Sequence, residues 1–218
     1  MRVGFVGGTG IEGKGLALRF AAAGAQVILG SRSEERATAA ALDYNRILGR
    51  SLIRGATNKE MLSNSNIVFL TVPFDQAVNA VESCRSDFRP ELVLVDVTVP
   101  MQFKDGRAEY LEQDGGSNAE MIAAHLPAEV HLVAAFKTIP AHMLAETERL
   151  LECDVFVCGE SPGAKEKVIE AVNMIPTLRP LDAGPLRNAR ILERMTVLAA
   201  QLNRRHKSKY ARYRVVGI

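Results

Sequence analysis

A glycine-rich segment near the N-terminus has the residue types and spacing of a phosphate-binding loop. It reads Gly7-Gly8-Thr9-Gly10-Ile11-Glu12-Gly13, follows an apolar run and precedes an Ala/Leu-rich stretch. In this strand–loop–helix context, Gly8 is expected to allow a tight turn, Gly10 to let the backbone approach a pyrophosphate, and Gly13 to let the helix pack on the strand. Free N–H groups at the helix start would then bind the anion. The segment therefore predicts a dinucleotide site, with the Glu12 carboxylate pointing away from the phosphates.

The end of the second predicted strand carries the residues that would select between the two common dinucleotides. NAD sites usually have Asp or Glu there to hold the ribose hydroxyls, but this chain has Ser31 and Arg32, with Arg36 one turn into the next helix. A serine and two guanidinium groups would clamp a 2′-phosphate, and charge-assisted hydrogen bonds of this kind contribute about 1.5–3 kcal/mol each. We therefore expect NADP. The alternative is that both arginines lie on a solvated helix start, paired with Glu34 and Glu35.

Three predicted strands end in the same Thr-x-Pro pattern. They are Thr71-Val72-Pro73, Thr98-Val99-Pro100 and Thr138-Ile139-Pro140. Proline cannot donate to a strand ladder, so each pattern marks where a strand leaves the sheet. The carboxyl ends of parallel strands line the ligand crevice of an open α/β sheet, where these hydroxyls and apolar groups could hold ribose and nicotinamide. We expect all three patterns to border one groove; the alternative is that they only end strands.

Other kinds of chemistry are disfavoured by the residues present. Residues 159–163 match the hydrolase pattern Gly-x-Ser-x-Gly, but Pro162 lacks the backbone N–H that an oxyanion hole would need. Ser161 is therefore interpreted as a helix N-cap. No tyrosine precedes a lysine by four residues, so the Tyr/Lys pair of short-chain dehydrogenases is absent. The cysteines and histidines lack metal-ligand spacing, so we expect no metal, and spacing reveals no acid–base pair of carboxylates.

Strands that alternate with helices must position these residues. Short β-branched runs alternate with amphipathic stretches, which is typical of βαβ units and of a parallel sheet covered on both faces. The sequence predicts an α/β fold, with a doubly wound parallel sheet of the Rossmann NADP-binding type over residues 1–138 and a small C-terminal α/β lobe over residues 139–218. The predicted strands are Arg2–Val6, Gln26–Leu29, Ser51–Arg54, Ile67–Val72, Leu92–Val97, His131–Phe136, Val155–Val157 and Thr177–Leu181. The predicted helices are Lys14–Ala23, Glu34–Leu48, Asp75–Ser83, Asn118–His125, Pro140–Leu151, Pro162–Met174 and Pro185–Asn203, the last with Ile191, Met195, Leu198 and Leu202 on one face.

Composition and charge limit the compartment and the partners. The chain has 218 residues, 47% apolar and 24% charged, as in ordinary globular proteins. Three cysteines are too few for a disulfide framework, and we find neither a signal peptide nor the roughly 20-residue apolar run of a membrane helix. We expect a cytoplasmic protein without membrane or nucleic-acid partners. Its net charge of +2 combines six basic side chains and no acidic one in residues 201–218 with a formal charge of −4 over residues 1–200.

The chain resembles the NADPH-dependent reductases of coenzyme F420, a deazaflavin, over nearly its whole length. The resemblance rests on the glycine loop, on Gly30-Ser31-Arg32 and, more specifically, on Thr138-Ile139-Pro140-Ala141 and the segment 178–186. It implies a Rossmann domain with a small C-terminal lobe, a homodimer, and reversible hydride transfer between NADP(H) and F420. The residues that it implies for NADP contact are Thr9, Gly10, Ile11, Glu12, Ser31, Arg32, Arg36, Phe74, Val78 and Ala141.

The resemblance also implies where the second substrate lies. Ile139 and Pro140 would lie where nicotinamide and deazaflavin stack. Many family members have His in place of Lys137, and a lysine there could hold an anionic or carbonyl edge. We expect Arg204 and Arg205 to attract the anionic tail of the coenzyme; the alternative is a solvated helix end.

Direct hydride transfer fits a chain in which no acid–base site is evident. The protein mainly has to stack two rings and exclude water, so no nucleophile is needed. Two alternatives keep the same nucleotide site. One is an NADPH-dependent reductase of a flavin, a quinone or a metal, and the other is a non-catalytic NADP(H) sensor.

Overall fold

A computed structural model describes all 218 residues, and strands alternate with helices along most of the chain. Glycine, proline or a capping Ser, Thr or Asn stands within a few residues of most of the boundaries between elements. The strands are β1 (Arg2–Val6), β2 (Gln26–Ser31), β3 (Ile53–Thr57), β4 (Ile67–Leu70), β5 (Val93–Asp96), β6 (Met101–Lys104), β7 (Arg107–Tyr110), β8 (His131–Ala134), β9 (Cys153–Gly159) and β10 (Leu178–Asp182). The helices are α1 (Ile11–Ala22), α2 (Glu34–Leu48), α3 (Asn58–Asn64), α4 (Ala77–Ser83), α5 (Asn118–Ala124), α6 (Ala141–Ala145), α7 (Pro162–Met174) and α8 (Ala189–Arg205).

Eight strands form one sheet in the order β3-β2-β1-β4-β5-β8-β9-β10. All neighbours are parallel except β8 and β9, which meet in a short antiparallel contact at Val133–Gly159 and Ala134–Cys158. The chain builds outward from β1 to β3 and then crosses to the other side of β1 to form β4, β5 and β8. The order therefore reverses between β1 and β4, and a ligand crevice is expected at the carboxyl ends of these two strands. The predicted doubly wound sheet is confirmed, with one antiparallel pair that was not predicted.

Helices cover both faces of the sheet and create two hydrophobic cores. One core of 35 buried residues includes four aromatic rings in mutual contact, with Phe69 at 5.4 Å from Phe5, 5.1 Å from Phe20 and 5.6 Å from Phe136 between centroids. The other core of 22 buried residues lies on the opposite face, where α3, α4, α5 and α8 pack. Because strands such as β4 and β5 are buried throughout, they lack the alternation of polar residues seen in half-exposed strands.

The C-terminal residues extend the sheet of the N-terminal part. Strands β9 and β10 pair in parallel with each other, and β9 joins the sheet through β8. The buried Arg19 of α1 also binds the 139–218 part, because its guanidinium donates to the carbonyl oxygens of Met143, Leu144 and Glu146. The division at residues 138–139 stays a prediction.

Three local features differ from the predicted elements. The hairpin of β6 and β7 was not predicted, although Asp105-Gly106 at its turn is a hairpin signal and both residues have positive φ, 48° and 70°. Helix α3 was also missed; its Thr57 N-cap accepts from the Glu60 N–H. The helix predicted over 140–151 ends at residue 145, since Arg19 takes carbonyl groups that a longer helix would use.

Candidate active site

The glycine loop joins β1 to α1 at the reversal point of the sheet. The left-handed turn falls on Gly7, with φ of +85°, and not on Gly8 as the sequence analysis expected. A Cβ atom on Gly8 would lie 2.8 Å from Leu29 and 2.9 Å from Phe5, so Gly8 is needed for packing. A Cβ atom on Gly13 would lie 2.7 Å from the Cα of Gly8, which confirms the close packing of the helix.

Gly10 differs from the other loop glycines because the protein leaves room beside it. A Cβ atom there would meet nothing closer than 3.6 Å. Gly10 is the N-cap of α1, and no side chain caps the helix, so its first N–H groups are free to bind an anion. Packing therefore does not require glycine at this position, whereas close approach of a pyrophosphate would. This open cradle fits the dinucleotide that the sequence predicts.

A cavity of about 760 Å³ extends from the loop across the ends of β1 and β2. Arg32 and Arg36 both line it, are exposed and form no ion pair; Glu35, expected as a partner in the alternative, instead accepts from the Ser33 hydroxyl at 2.8 Å. Two guanidinium groups with unused donors at the end of a nucleotide cavity suit a phosphate. The remaining predicted residues that line this cavity are Thr9, Gly10, Ser31, Thr71, Val72 and Pro73, and Gly7, Asn58, Gln76, Asn79 and Ser83 line it as well.

A second cavity of about 720 Å³ adjoins the first, and Val72 and Pro73 line both. Each Thr-x-Pro pattern contributes to its wall: Val72 and Pro73 from the first, Thr98 and Val99 from the second, and Thr138, Ile139 and Pro140 from the third. The prediction that all three border one groove is confirmed. Phe74, Ala141 and Lys137 line this cavity too, as do Met101 and Phe103 of the hairpin and Thr196, Ala199, Ala200 and Asn203 of α8.

Lys137 lies at the base of the second cavity, but its ammonium group is already paired with two carboxylates of the protein. Its Nζ is 2.6 Å from Asp96 Oδ2 and 3.2 Å from Glu193 Oε1, and it also donates to the Thr98 carbonyl oxygen. An ammonium group has three donors, so none remains for a substrate. Burial alone would lower the pKa of Lys137, but Asp96 and Glu193 outweigh it and raise that pKa. The expectation that Lys137 holds an edge of the substrate is therefore wrong for this arrangement.

The backbone before Lys137 has an unusual conformation. Phe136 has φ of +59°, a region that bulky residues rarely adopt, and its ring is fixed in the core against Phe20 and Phe69. Lys137 follows directly and is itself fully buried at its side chain. Packing of the Phe136 ring and the ion pairs of Lys137 hold this bend together.

Glu193 connects this lysine to three further elements. Its Oε2 accepts from the Tyr110 hydroxyl of β7 at 2.8 Å and from the Asn118 N–H at 3.1 Å, and its Oε1 accepts from the Ala119 N–H at 3.3 Å. One buried carboxylate thus holds α8, the start of α5 and the hairpin around Lys137. The wall of the second cavity formed by α8 and the hairpin is fixed by this network.

Glu12 lies in the first turn of α1, and its side chain lines the second cavity, not the phosphate cavity. The prediction that it points away from the phosphates is confirmed. Burial raises the pKa of Glu12 to about 8; Lys137 opposes this effect and Asp96 adds to it. The carboxyl group is therefore mostly neutral at pH 7.

Six predicted residues line neither cavity. Gly8 and Gly13 are needed for packing beneath the loop, as described above, and the other four lie elsewhere. Ile11 is 73% exposed beside the loop, and the half-buried Val78 packs on the hydrophobic core. The Arg204 guanidinium lies over the hairpin turn at Gly106, and Arg205 is exposed outside the cavity lining. From the same C-terminal segment, Asn203, Ser208 and Lys209 line the second cavity instead.

Sequence reasoning missed the cavity-lining faces of two helices. Thr196, Ala199, Ala200 and Asn203 recur at the i, i+3, i+4, i+7 spacing of one helix face. Gln76, the residue before α4, and Asn79, Ala80 and Ser83 of α4 have the same spacing. Small or polar residues at this spacing were the available signal. Asp75 and His142 were missed for lack of any pattern.

The segment that matches the hydrolase pattern forms the start of a helix. The Ser161 hydroxyl accepts from the Ala164 N–H at the start of α7, with Pro162 in the first turn, which confirms the N-cap. No group of three or more His, Cys, Asp or Glu side chains could hold a metal ion. No helix is both long and apolar enough to cross a membrane.

Comparison with known proteins agrees with this geometry. Residues 2–100 match the family described as NADP oxidoreductase, coenzyme F420-dependent. The F420-dependent NADP reductase of Methanothermobacter thermautotrophicus is 37% identical over 100% of this chain and 96% of its own, and that of Methanothermobacter marburgensis is 33% identical over 100% and 99%. A solved structure from Arthrobacter sp. FB24 shares the fold, with a TM-score of 0.82 at 20% identity over 99% of both chains. The chain belongs to the family of F420-dependent NADP reductases.

Proposed function

We propose that this protein is an enzyme that transfers a hydride between NADP(H) and the deazaflavin coenzyme F420. The observation that carries the proposal is the pair of adjoining cavities, which share Val72 and Pro73. One is lined by the glycine cradle and by two arginines that form no ion pair, as an NADP molecule requires. The other is lined by both apolar and polar side chains, and its apolar residues, such as Ile139 and Pro140, offer a surface on which two rings could stack. Both the reductases named above and the family description point to the same pair of substrates.

In this proposal the first cavity binds the phosphate groups of NADP(H), and the second holds the two reacting rings. The free N–H groups at the start of α1 hold the pyrophosphate, while Ser31, Arg32 and Arg36 clamp the 2′-phosphate. The nicotinamide end passes Val72 and Pro73 into the second cavity, where Ile139 and Pro140 provide an apolar wall for the two rings. Hydride transfer between ring carbons then needs alignment and exclusion of water, which a rigid apolar wall supplies.

We further propose a homodimer that acts in the cytoplasm. Helix α8 exposes an apolar stripe, with Ile191 59%, Leu198 48% and Leu202 37% exposed. Phe103 of the hairpin is 69% exposed as well. Large exposed apolar side chains that cluster on one face are typical of a protein interface, and a second copy would cover them. The three cysteines are free and buried, which suits a reducing compartment.

The direct test is a spectrophotometric assay of NADPH oxidation with F420, FMN, FAD, a quinone and ferric iron as acceptors. We expect fast oxidation with F420 only. Oxidation with a flavin, quinone or metal but not with F420 would favour the second enzyme hypothesis. Tight binding of NADPH without oxidation by any acceptor would favour the sensor.

The phosphate clamp can be tested separately with Arg32→Ala. Loss of one charge-assisted hydrogen bond should weaken NADPH binding about 10-fold or more and leave NADH binding nearly unchanged. The exposed Arg50 follows α2 and lines neither cavity, so Arg50→Ala is the matched control. Equal losses of NADPH and NADH affinity in Arg32→Ala would contradict the clamp.

A further inference from the structure

Glu12 is a carboxyl group that forms no ion pair in the second cavity, and contact with NADP alone would not explain an acid at this place. It lies half-buried in the first turn of α1 and faces the space that Ile139, Pro140 and Phe74 also line. It forms no ion pair, and Lys137 and Asp96 act on it only through their charges. An unpaired acid at this place in a hydride-transfer site calls for an explanation.

The groups that face Glu12 come from several elements. Lys137 and Asp96 lie at the base of the cavity, and Glu193 lies behind Lys137 on α8. Asp75, His142 and Lys209 line the same cavity at its wall. On α1 itself, Lys14 lies 3.7 Å from Asp43 on α2.

Most of these groups are unsuited to exchange a proton with a substrate. Lys137, Asp96 and Glu193 are fully buried and engaged with one another. Asp75 and Lys209 are exposed to solvent. Glu12 and His142 remain, and of the two only Glu12 lies on the loop that would carry the nucleotide.

The proposed reaction, on which this inference rests, requires one proton. NADPH, oxidised F420 and H⁺ give NADP⁺ and reduced F420. The C–H bond of the dihydronicotinamide breaks, a C–H bond forms on the deazaflavin ring with the same electron pair, and a ring nitrogen of the deazaflavin takes up the proton. The nicotinamide ring becomes a cation in this step.

We propose that the Glu12 carboxyl group carries this proton. It gives its proton to the deazaflavin as the hydride leaves NADPH, and the resulting carboxylate compensates the positive charge of the oxidised nicotinamide. The reverse reaction returns the proton to Glu12. The total charge of the site is thereby conserved during hydride transfer, which lowers the electrostatic cost of the step in a partly buried site.

The sign of the pH dependence follows from the state of Glu12. Because burial raises its pKa to about 8, the group is protonated at pH 7 and ionised well above pH 8. A cationic nicotinamide nearby favours the carboxylate and lowers this pKa again. Binding of NADP⁺ near pH 7 should therefore release a proton from Glu12, whereas binding of NADPH should not.

The first experiment is calorimetric titration of the protein with NADP⁺ and with NADPH at pH 7, in phosphate and in Tris buffer. Wild-type protein should release close to one proton more with NADP⁺ than with NADPH, since protons lost from the 2′-phosphate are common to both. Glu12→Gln should remove this difference, and the exposed Glu166→Gln on α7 should keep it. Equal proton release for the two nucleotides in the wild-type protein would overturn the proposal without any variant.

The second experiment is a single-turnover measurement of hydride transfer from NADPH to F420 between pH 6 and pH 10. The wild-type rate should fall above pH 8, and Glu12→Gln should be slower on the order of 100-fold at pH 7, without that fall. A His142→Gln variant that reproduced these effects while Glu12→Gln did not would overturn the proposal. If the wild-type protein bound neither nucleotide, the proposed function would fail; intact binding without the proton difference would contradict only the role of Glu12.

Discussion

At the scale of single residues, the loop glycines have different physical roles, which cannot be told apart from the sequence. Gly7 provides the left-handed turn, whereas Gly8 and Gly13 allow close packing inside the protein. Gly10 alone borders open space on the side where a pyrophosphate would lie. The spacing predicted the loop correctly, but the assignment of the turn to Gly8 was wrong, because only the backbone angles distinguish the two adjacent glycines.

Substitutions at Gly10 and Gly13 should therefore have different effects, one on NADPH binding and the other on stability. Gly10→Ala should fold with nearly unchanged stability and bind NADPH at least 10-fold more weakly, since its methyl group would meet the ligand and not the protein. Gly13→Ala should lose about 1–3 kcal/mol of stability, because its methyl group would lie 2.7 Å from backbone at Gly8. Thermal unfolding and fluorescence titration with NADPH measure the two effects. Equal NADPH affinity in Gly10→Ala and the wild type would contradict the assigned role.

At the scale of elements, helix α8 closes the second cavity because a buried charge network holds it there. Glu193 on α8 reaches Lys137, the start of α5 and Tyr110 in β7. At the junction of α8, α5 and the β6–β7 hairpin, the contacts are therefore made by a buried carboxylate and not by apolar side chains. Such a network constrains geometry strongly, although replacing all of its charges by apolar groups can be neutral for stability.

Removal of the Lys137 charge should lower the free energy of unfolding. Lys137→Met leaves two buried carboxylates without a counter-charge, and we expect a loss of about 3–5 kcal/mol in the free energy of unfolding. Urea denaturation measures this loss. The exposed pair Arg54–Glu60 provides the control, since Arg54→Met should change stability by less than about 1 kcal/mol. Similar small losses in both variants would show that the buried network does not hold α8.

At the scale of the whole molecule, the charge asymmetry of the sequence has a structural explanation. The basic C-terminal segment is fixed along the sheet edge, where the Asp154 carboxylate accepts from the Val215 N–H and Arg179 donates to the carbonyl oxygens of Val215 and Ile218. Lys209 of this segment lines the second cavity, whereas Arg204 and Arg205 do not. Lys209 was not singled out by the sequence analysis, and the role of the two arginines stays a prediction.

The apolar stripe of α8 makes a prediction about assembly. Leu198→Asp should convert the proposed homodimer into a monomer, since it places a charge at the centre of the stripe. Because Leu198 is 48% exposed, the fold of each subunit should remain intact. Light scattering after size-exclusion chromatography measures the mass, and circular dichroism checks the fold. Leu42→Asp, at a 62% exposed position of α2, is the matched control and should leave the mass unchanged. A dimer that persists in Leu198→Asp would place the interface elsewhere.

The sequence by itself determined the features that depend on local chemistry and periodicity. The alternation of strands and helices, the glycine loop, the two arginines and the three Thr-x-Pro patterns each follow from short-range constraints on backbone and side chain. Tertiary structure decided which long-range partners each charge finds. Lys137 looked available for a substrate until Asp96 and Glu193, 41 residues before and 56 residues after it in the sequence, were seen to occupy its donors. Whether a charge is free depends on contacts between distant residues, and spacing along the chain does not encode them.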